Sequence, residues 1–211
     1  MKKTKTSKAW MKEHVNDFFV KQAQKDGYRS RAAYKLLEIC ERDHLIKPGM
    51  IVVDLGAAPG SWSQVAMQKI GSKGKIIALD ILEMVPLNGV TFICDDFREE
   101  RATEELRKHL NGSPADLVIS DMSPNISGIA VSDQAKSMYL SELALEFAME
   151  QLNYGGNFLV KVFQGRDFDQ FLSNMRKSFD KVLIRKPKAS RDRSKEMYLL
   201  GYGKKQQSQE K

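Results

Sequence analysis

Charged side chains close several strand-like segments of this sequence. Asp121 directly follows residues 116–120, and Lys161 directly follows residues 156–160. Burying an ammonium group is costly, so a lysine at the end of an apolar strand requires a partner, and Asp121 on a neighbouring strand is a candidate. The pair is either a structural contact at the rim of a sheet or part of a catalytic site, and both interpretations stay open.

Other charged residues occupy comparable positions. Asp80 ends an apolar run about 20–25 residues after a glycine-rich turn, where an acid either accepts hydrogen bonds from ribose hydroxyls or caps a turn. Asp95 and Asp96 also follow an apolar run, so an acid there either accepts a hydrogen bond from an adenine amino group or caps the next helix. Taken alone, Glu196 and Lys35 are interpreted as surface charges.

A glycine-rich turn at residues 54–62 (DLGAAPGSW) follows the β-branched run 51–53. This order is typical of the first strand, turn and helix of a nucleotide-binding α/β sheet. The turn departs from the pattern that binds a pyrophosphate, because Pro59 has no backbone N–H to donate and the Asp54 carboxylate would repel an anion. It favours a cofactor with a cationic centre and an amino-acid moiety, such as S-adenosylmethionine; the alternative is a turn that binds no ligand.

The alternation of segments predicts an α/β fold with a mostly parallel, doubly wound sheet. The last two strands have no obvious helix between them, so we expect an antiparallel hairpin whose connection carries basic residues. Ser30 is expected to cap a helix that ends at Arg42, and residues 153–156 (NYGG) to close the longest helix. The predicted strands lie near 51–54, 75–80, 90–94, 116–120, 156–161, 180–185 and 196–202, and the other helices near 61–70, 99–110, 133–152 and 167–177.

Basic residues concentrate in two zones of a chain whose formal net charge is +7. One zone covers the N-terminal lysines and continues through Arg29 and Arg31, and the other covers residues 185–195. Two dense basic zones on an otherwise balanced chain predict contact with a polyanion, and arginine binds phosphate through its rigid fork. The candidate contacts are Arg29, Arg31, Arg191 and Arg193.

The chain has 211 residues, of which 42% are hydrophobic, and this fits one α/β domain with short extensions. We expect a flexible basic arm over residues 1–12, a single domain over 13–203 and a flexible tail over 204–211. The two cysteines and three scattered histidines suggest neither a disulfide framework nor metal binding, and no segment resembles a signal peptide or a membrane-spanning helix. These features predict a cytoplasmic protein without a metal site.

Several longer motifs occur in a fixed order along the chain. They are residues 29–36 (RSRAAYKL), 53–60 (VDLGAAPG), 96–98 (DFR), 120–125 (SDMSPN), 160–165 (VKVFQG) and 190–196 (SRDRSKE). Through these motifs the sequence, from about Trp10 to Gly203, closely resembles the FtsJ-type ribosomal RNA 2′-O-ribose methyltransferases. Several long matches in the right order are far more specific than any single motif.

The resemblance extends the prediction of the fold and the cofactor. It implies a Rossmann-like class I methyltransferase fold that uses S-adenosyl-L-methionine, with a seven-stranded sheet that ends in the antiparallel hairpin. It also favours Asp96 over Asp95 as the residue near adenine. The cofactor-binding positions of the family fall on Gly60, Trp62, Asp80, Asp96 and Asp121.

The resemblance also implies a catalytic tetrad. The family's lysine, aspartate, lysine and glutamate fall on Lys35, Asp121, Lys161 and Glu196. Lys161 is the candidate for the central group, either as a neutral general base or as a protonated group that stabilises the developing oxyanion, and both roles stay open. Asp121 would orient Lys161, and Glu196 would hold the lysines in place.

The substrate that the resemblance implies is a uridine ribose in the peptidyl-transferase A-loop of 23S rRNA, within the assembled large ribosomal subunit. The methyl donor is already activated, so we expect no metal, and we expect a monomer. The alternatives are a methyltransferase of the same fold that acts on tRNA or another RNA, and an RNA-binding assembly factor without catalysis. The glycine turn disfavours a third, an NAD-dependent oxidoreductase.

Overall fold

The computed structural model describes residues 17–125, 127–191 and 194–206, which contain one seven-stranded sheet. The strands are β1 (Ile51–Leu55), β2 (Lys75–Asp80), β3 (Val90–Cys94), β4 (Ala115–Ser120), β5 (Leu152–Phe163), β6 (Phe179–Arg185) and β7 (Glu196–Lys204). Their order across the sheet is β3-β2-β1-β4-β5-β7-β6. The first five strands are parallel, and β7 pairs antiparallel with both β5 and β6. The mostly parallel sheet and the antiparallel hairpin at its end are therefore confirmed.

Helices cover both faces of the sheet. They are α1 (Phe18–Asp26), α2 (Ala33–Asp43), α3 (Ser61–Ile70), α4 (Glu100–Leu110), α5 (Ala130–Gln151) and α6 (Phe168–Ser178). Apolar side chains of α2 and α3 pack on one face, and those of α4, α5 and α6 pack on the other. The inner strands β1, β2 and β4 are buried on both faces, which explains their nearly continuous apolar runs.

The order of the strands reverses between β1 and β4, so the carboxyl ends of these two strands flank the crevice where ligands of such sheets bind. Leu55 is paired with Ser120 at that edge, and the backbone N–H of Asp121 donates to the Leu55 carbonyl over 3.1 Å. In the next pairing, Ser120 lies beside Val160. Asp121 therefore follows β4 at the edge where Lys161 lies in β5, and β5 continues past its expected end at Lys161 to Phe163 because β7 pairs with it there.

Helix α1 is an element that the sequence analysis did not predict. The Asp17 carboxylate accepts a hydrogen bond from Phe19 N over 2.9 Å at its start, and Gly27 adopts φ 77° at its end. Both are ordinary signals of a helix boundary, but the helix between them has only nine residues, of which Ala23 alone is buried. The expected N-cap of the following helix was wrong: α2 begins at Ala33, and the Ser30 hydroxyl accepts from Ala32 N over 3.2 Å in the preceding turn.

The longest helix ends within one residue of its predicted end, but the role predicted for residues 153–156 in closing it was wrong. Helix α5 stops at Gln151, and the chain passes directly into β5 at Leu152, so residues 153–156 belong to the strand. Gly155 has φ 78°, and the register with β4 shifts after the pair Ala115–Leu152. The glycines permit an irregularity within the strand rather than a helix cap, because Leu152 already pairs with β4.

The last strand ends at Lys204, one residue beyond the expected end of the domain. Lys204 Nζ donates to the Leu152 carbonyl over 2.7 Å, which joins the end of β7 to the start of β5. The expected arm over residues 1–12 and the end of the expected tail lie outside the described residues. Within the described ranges, no helix is long and apolar enough to cross a membrane.

Candidate active site

The glycine-rich turn joins β1 to α3 and packs against two other loops. Backbone N–H groups of Gly56 and Ala57 both donate to the Leu79 carbonyl, over 2.8 and 3.1 Å. Gly56 has φ 78°, and a Cβ built on it would lie 2.8 Å from the backbone N and Cα of Met122. Only glycine permits this close approach between the turn and the loop after β4.

Asp54 lies below this turn and has no exposed surface. Ser63 donates a hydrogen bond to its Oδ2 over 2.6 Å, whereas Oδ1 has no hydrogen-bond partner among the described residues. Burial raises the pKa of Asp54 to about 7; the Ser63 hydrogen bond opposes this, and the charges of Asp121 and Asp80 add to it. The turn therefore rests on a carboxyl group that is costly to ionise.

A cavity of about 300 Å³ opens at the carboxyl ends of β1 to β4. The acids predicted at this edge, Asp80 and Asp96, both line it, and Phe97, Tyr139 and Leu140 give it an apolar side. Gly56 and residues 122–125 close it near the glycine turn. The structure thus brings together two carboxylates and an apolar wall in a space that suits a nucleoside.

The two carboxylates of the cavity are fixed by local hydrogen bonds. Asp80 accepts from Ala58 N over 2.9 Å and from Leu82 N over 2.8 Å. Asp96 accepts from the Arg98 backbone over 3.0 Å and forms an ion pair with its guanidinium, with a shortest distance of 2.5 Å. The hydrogen bonds from Arg98 hold the pKa of Asp96 below its usual value, against a smaller opposing effect of burial. Both acids are therefore held in place as acceptors.

Three predicted cofactor residues, Gly60, Trp62 and Asp121, lie outside the lining of this cavity. Trp62 is 3% exposed, donates from Nε1 to the Ala32 carbonyl over 2.9 Å, and packs with its ring 5.6 Å from that of Tyr198. Gly60 lies near the end of the turn, and a Cβ built on it would lie 2.7 Å from the Arg29 guanidinium. In this structure Gly60 and Trp62 therefore make packing contacts that stabilise the turn.

Lys161 and Asp121 form the centre of the predicted tetrad. Lys161 Nζ donates to the Asp121 carbonyl over 2.6 Å and to the Ser123 hydroxyl over 2.5 Å, and it lies 3.1 Å from Asp121 Oδ1. The lysine side chain is only 6% exposed. Ser123 also lines the cavity, so the ammonium group lies at the edge of the cavity.

Lys35 and Glu196 form the second pair of the tetrad. Lys35 Nζ lies 2.6 Å from Glu196 Oε1, and both side chains are mostly buried. Lys35 comes from α2 and Glu196 from the start of β7, so the pair joins the helix layer to the antiparallel strand. Neither residue has the surface position that the sequence suggested for it when taken alone.

Tyr198 connects the two pairs, and the sequence analysis did not single it out. Its hydroxyl donates to Asp121 Oδ1 over 2.8 Å, and Lys35 Nζ lies 5.7 Å from the centre of its ring. Across the β5–β7 pairing, Tyr198 lies opposite Lys161. The available signal was its spacing from Glu196, because residues two apart on a strand lie on the same face.

The charges of the site stabilise the ionised form of Asp121. Burial acts to raise the pKa of this carboxyl, but Lys161 and Lys35, with hydrogen bonds from Tyr198 and Lys161, hold the pKa below its usual value. Burial and the adjacent Asp121 raise the pKa of Tyr198 well above its usual value, so Tyr198 remains a donor. The site therefore holds a permanent carboxylate between two lysines.

The four arginines predicted to contact a polyanion have different environments. The Arg29 guanidinium donates to three backbone carbonyls, and Arg31 contacts the Asp17 carboxylate and the Ala189 carbonyl. Arg191 is half-buried in the connection between β6 and β7, and Arg193 lies outside the described residues. The end of β6, where that connection begins, is fixed to α2 by an ion pair of 2.6 Å between Arg185 and Asp43.

A family model described as FtsJ-like methyltransferase matches residues 28–204 of this chain. The chain belongs to the FtsJ-like methyltransferase family. The match covers the glycine turn, the cavity and all four members of the tetrad, and it confirms the resemblance that the motifs indicated.

Individual relatives agree with the family. The Ribosomal RNA large subunit methyltransferase E of Nitrosospira multiformis is 69% identical over 204 residues, which cover 97% of this chain and 99% of the relative. The protein of the same name from Methylobacillus flagellatus is 67% identical over 201 residues, covering 95% and 97% of the two chains. A crystal structure from Plasmodium falciparum, named as a ribosomal RNA methyltransferase, has a TM-score of 0.76 at 29% identity and covers 84% of this chain and 98% of its own.

Proposed function

We propose that this FtsJ-like methyltransferase transfers a methyl group from S-adenosyl-L-methionine to the 2′-hydroxyl of a uridine in the A-loop of 23S rRNA, on the assembled large ribosomal subunit. The observation that carries the proposal is the Lys161 ammonium group, buried beside Asp121 and adjacent to the cavity. The relatives named as large subunit methyltransferases support ribosomal RNA as the substrate class.

The residues of the cavity fit this cofactor. Asp80 and Asp96 offer carboxylate oxygens to hydroxyl and amino donors, and Phe97 and Tyr139 offer apolar contacts to a base. The Asp80 and Asp96 carboxylates in the lining disfavour a phosphate and suit a ligand that carries positive charge. When bound, the cofactor supplies an activated methyl group, so the protein has to orient the acceptor hydroxyl and manage its proton.

Lys161 Nζ lies among oxygen acceptors. An ammonium group has three protons, and three oxygen acceptors of Asp121 and Ser123 surround Nζ. The two Asp121 oxygens come from the strand end, whereas the Ser123 hydroxyl belongs to an exposed residue that lines the cavity. We infer that a ribose 2′-oxygen takes the place of the Ser123 hydroxyl beside Nζ. Lys161 then stabilises the negative charge that develops on this oxygen, and the proton leaves to solvent.

The other members of the tetrad position Lys161. Asp121 accepts from Lys161 and Tyr198, which fixes the carboxylate in one orientation. Glu196 neutralises Lys35, so the second lysine does not add an unpaired positive charge next to Lys161. The Lys35–Glu196 pair connects α2 to β7, the Lys161–Asp121 pair connects β5 to the loop after β4, and together they keep the ammonium group in place before the substrate arrives.

The RNA is proposed to approach over the connection between β6 and β7. This connection carries Lys186, Lys188, Arg191, Arg193 and Lys195, and it leads directly into Glu196 of the tetrad. Ribosomal subunits occur in the cytoplasm, so we place the protein there. We propose that it works as a monomer. We also propose that it works without a metal, because the activated methyl donor needs no Lewis acid.

The proposal is tested by transfer of labelled methyl groups to large ribosomal subunits that lack the modification, with naked 23S rRNA and tRNA in parallel. We expect incorporation into one 2′-O-methyluridine of the A-loop, and more of it in subunits than in naked rRNA. Labelling of tRNA alone would keep the chemistry and overturn the substrate. Binding of the cofactor without incorporation into any RNA would favour an assembly factor and overturn the enzymatic proposal.

A further inference from the structure

Arg29 connects three segments of the chain that are distant in sequence. Its guanidinium donates from one terminal nitrogen to the carbonyls of Pro59 and Val85, over 2.9 and 2.6 Å, and from the other to the carbonyl of Pro86, over 3.0 Å. Hydrogen bonds from a charged donor are about twice as strong as neutral ones. Arg29 therefore holds the tip of the glycine turn against the connection between β2 and β3.

Each of these two segments contributes one residue to the cavity that we assign to the cofactor, Gly56 from the turn and Ile81 from the β2–β3 connection. The two segments are joined at one end by Asp80, which accepts from Ala58 N in the turn and from Leu82 N in the β2–β3 connection. Arg29 makes the corresponding contact at the far end of the same two segments. Without Arg29, the hydrogen bonds through Asp80 would be the ones left to join the turn to the β2–β3 connection, among the described residues.

The chain around Arg29 is shaped for this contact. The Gln64 side chain on α3 accepts from Arg29 N over 2.9 Å and donates to the Gly27 carbonyl over 3.0 Å, so the backbone of Arg29 is fixed. Gly60 leaves the space that the guanidinium occupies, since a Cβ there would lie 2.7 Å from a terminal nitrogen of Arg29. The side chain thus fits a site within the protein rather than extending from a basic surface.

We propose that Arg29 is a positioning residue for the cofactor, and that it acts through the glycine turn and Asp80 rather than by contact with RNA. This inference rests on the proposed function, because it concerns the cofactor side of the same site. It separates Arg29 from Arg191, whose place in the basic connection suits contact with RNA. We therefore expect Arg29 to affect binding of the cofactor and Arg191 to affect binding of the RNA.

The test compares Arg29→Ala, Arg29→Lys and Arg191→Ala with the wild-type protein. Binding of S-adenosylhomocysteine is measured by calorimetry, and KM values are measured for S-adenosylmethionine and for unmodified large subunits. We expect Arg29→Ala to raise the Kd for S-adenosylhomocysteine and the KM for S-adenosylmethionine about tenfold or more, with the KM for subunits within about twofold. Arg29→Lys retains one cationic donor group, so we expect an intermediate value. For Arg191→Ala we expect a raised KM for subunits, with an unchanged Kd for S-adenosylhomocysteine and an unchanged KM for S-adenosylmethionine.

Thermal unfolding of each variant separates positioning from stability. A lower melting temperature of Arg29→Ala with an unchanged Kd for S-adenosylhomocysteine would make the residue merely structural and overturn the proposal. A raised KM for subunits with unchanged cofactor binding would make it an RNA contact, with the same consequence. If Arg29→Ala does not fold, Arg29→Lys decides by the same readouts. Failure of the wild-type protein to bind S-adenosylhomocysteine would instead overturn the proposed function.

Discussion

Lys161 is held by three oxygen acceptors, and two of them belong to Asp121. A lysine at the end of a buried strand needs such a partner, so the pair could be predicted from the sequence. The third acceptor, Ser123, could not, because its position depends on the path of the loop after β4. The same limit applies to Tyr198, whose hydroxyl reaches Asp121 only because β7 runs antiparallel beside β5.

Asp54 shows what burial of a carboxylate costs at this site. Its pKa in the folded protein is about 7, above the ordinary value of 3.8, so between these values the folded state binds more protons than the unfolded state. The free energy of unfolding contributed by Asp54 therefore falls as the pH rises through this interval and is constant above it. An amide at this position carries no charge at any pH and removes the effect.

We therefore expect the stability of Asp54→Asn relative to the wild-type protein to increase between about pH 5 and pH 8. Urea unfolding of both proteins at each pH measures the difference. Titration of every other group occurs in both proteins, so the comparison isolates Asp54. A difference that is the same at the two pH values would show that Asp54 does not change its protonation in this range.

At the scale of elements, the glycine turn is the contact between β1, β2 and the loop after β4. We expect Gly56→Ala to be destabilising for two reasons. A positive φ costs alanine about 1–2 kcal/mol, and the new Cβ clashes with the backbone of Met122, for which overpacking adds about 1–3 kcal/mol. Urea unfolding gives the first readout, and binding of S-adenosylhomocysteine gives the second, which we expect to weaken.

Gly112→Ala is the matched control for this prediction. Gly112 has φ 74°, close to that of Gly56, but a Cβ there meets no atom of the described residues within 4 Å. We expect Gly112→Ala to show the cost of the positive φ alone, with unchanged cofactor binding. Equal losses of stability and equal cofactor affinities in the two variants would contradict the role given to the close approach of Gly56 and Met122.

The elements themselves were predicted where apolar runs and topology agree. Buried parallel strands have continuous apolar runs, and their carboxyl ends must share one edge, so Asp80, Asp121 and Lys161 could be placed together. The prediction failed for α1, which is short, buries only Ala23 and is marked chiefly by its two boundary residues. It failed again at Gly155, because a glycine permits a helix cap and a strand irregularity equally well, and pairing with β4 decides.

At the scale of the whole molecule, a net charge of +7 predicts that binding of ribosomal subunits weakens with salt. We expect the slope of log Kd against log salt concentration to become smaller by about 1 in Arg191→Ala, because one phosphate contact is lost. Filter binding of unmodified subunits at several salt concentrations measures it. Arg107→Ala serves as the control. Arg107 pairs with Glu150 in the layer of α4 and α5, on the face of the sheet opposite to α2. An unchanged slope in Arg191→Ala would exclude the proposed phosphate contact of this residue.

The central claim is that the buried Lys161 ammonium group promotes methyl transfer and does not hold the cofactor. Single-turnover methyl transfer to unmodified large subunits by Lys161→Ala, together with calorimetric binding of S-adenosylhomocysteine, tests it most directly. We expect the rate to fall by about 10²–10³-fold or more, as for removal of a donor that stabilises an oxyanion, with the Kd within about twofold of the wild-type value. A variant that binds the cofactor normally and methylates subunits at nearly the wild-type rate would contradict the account.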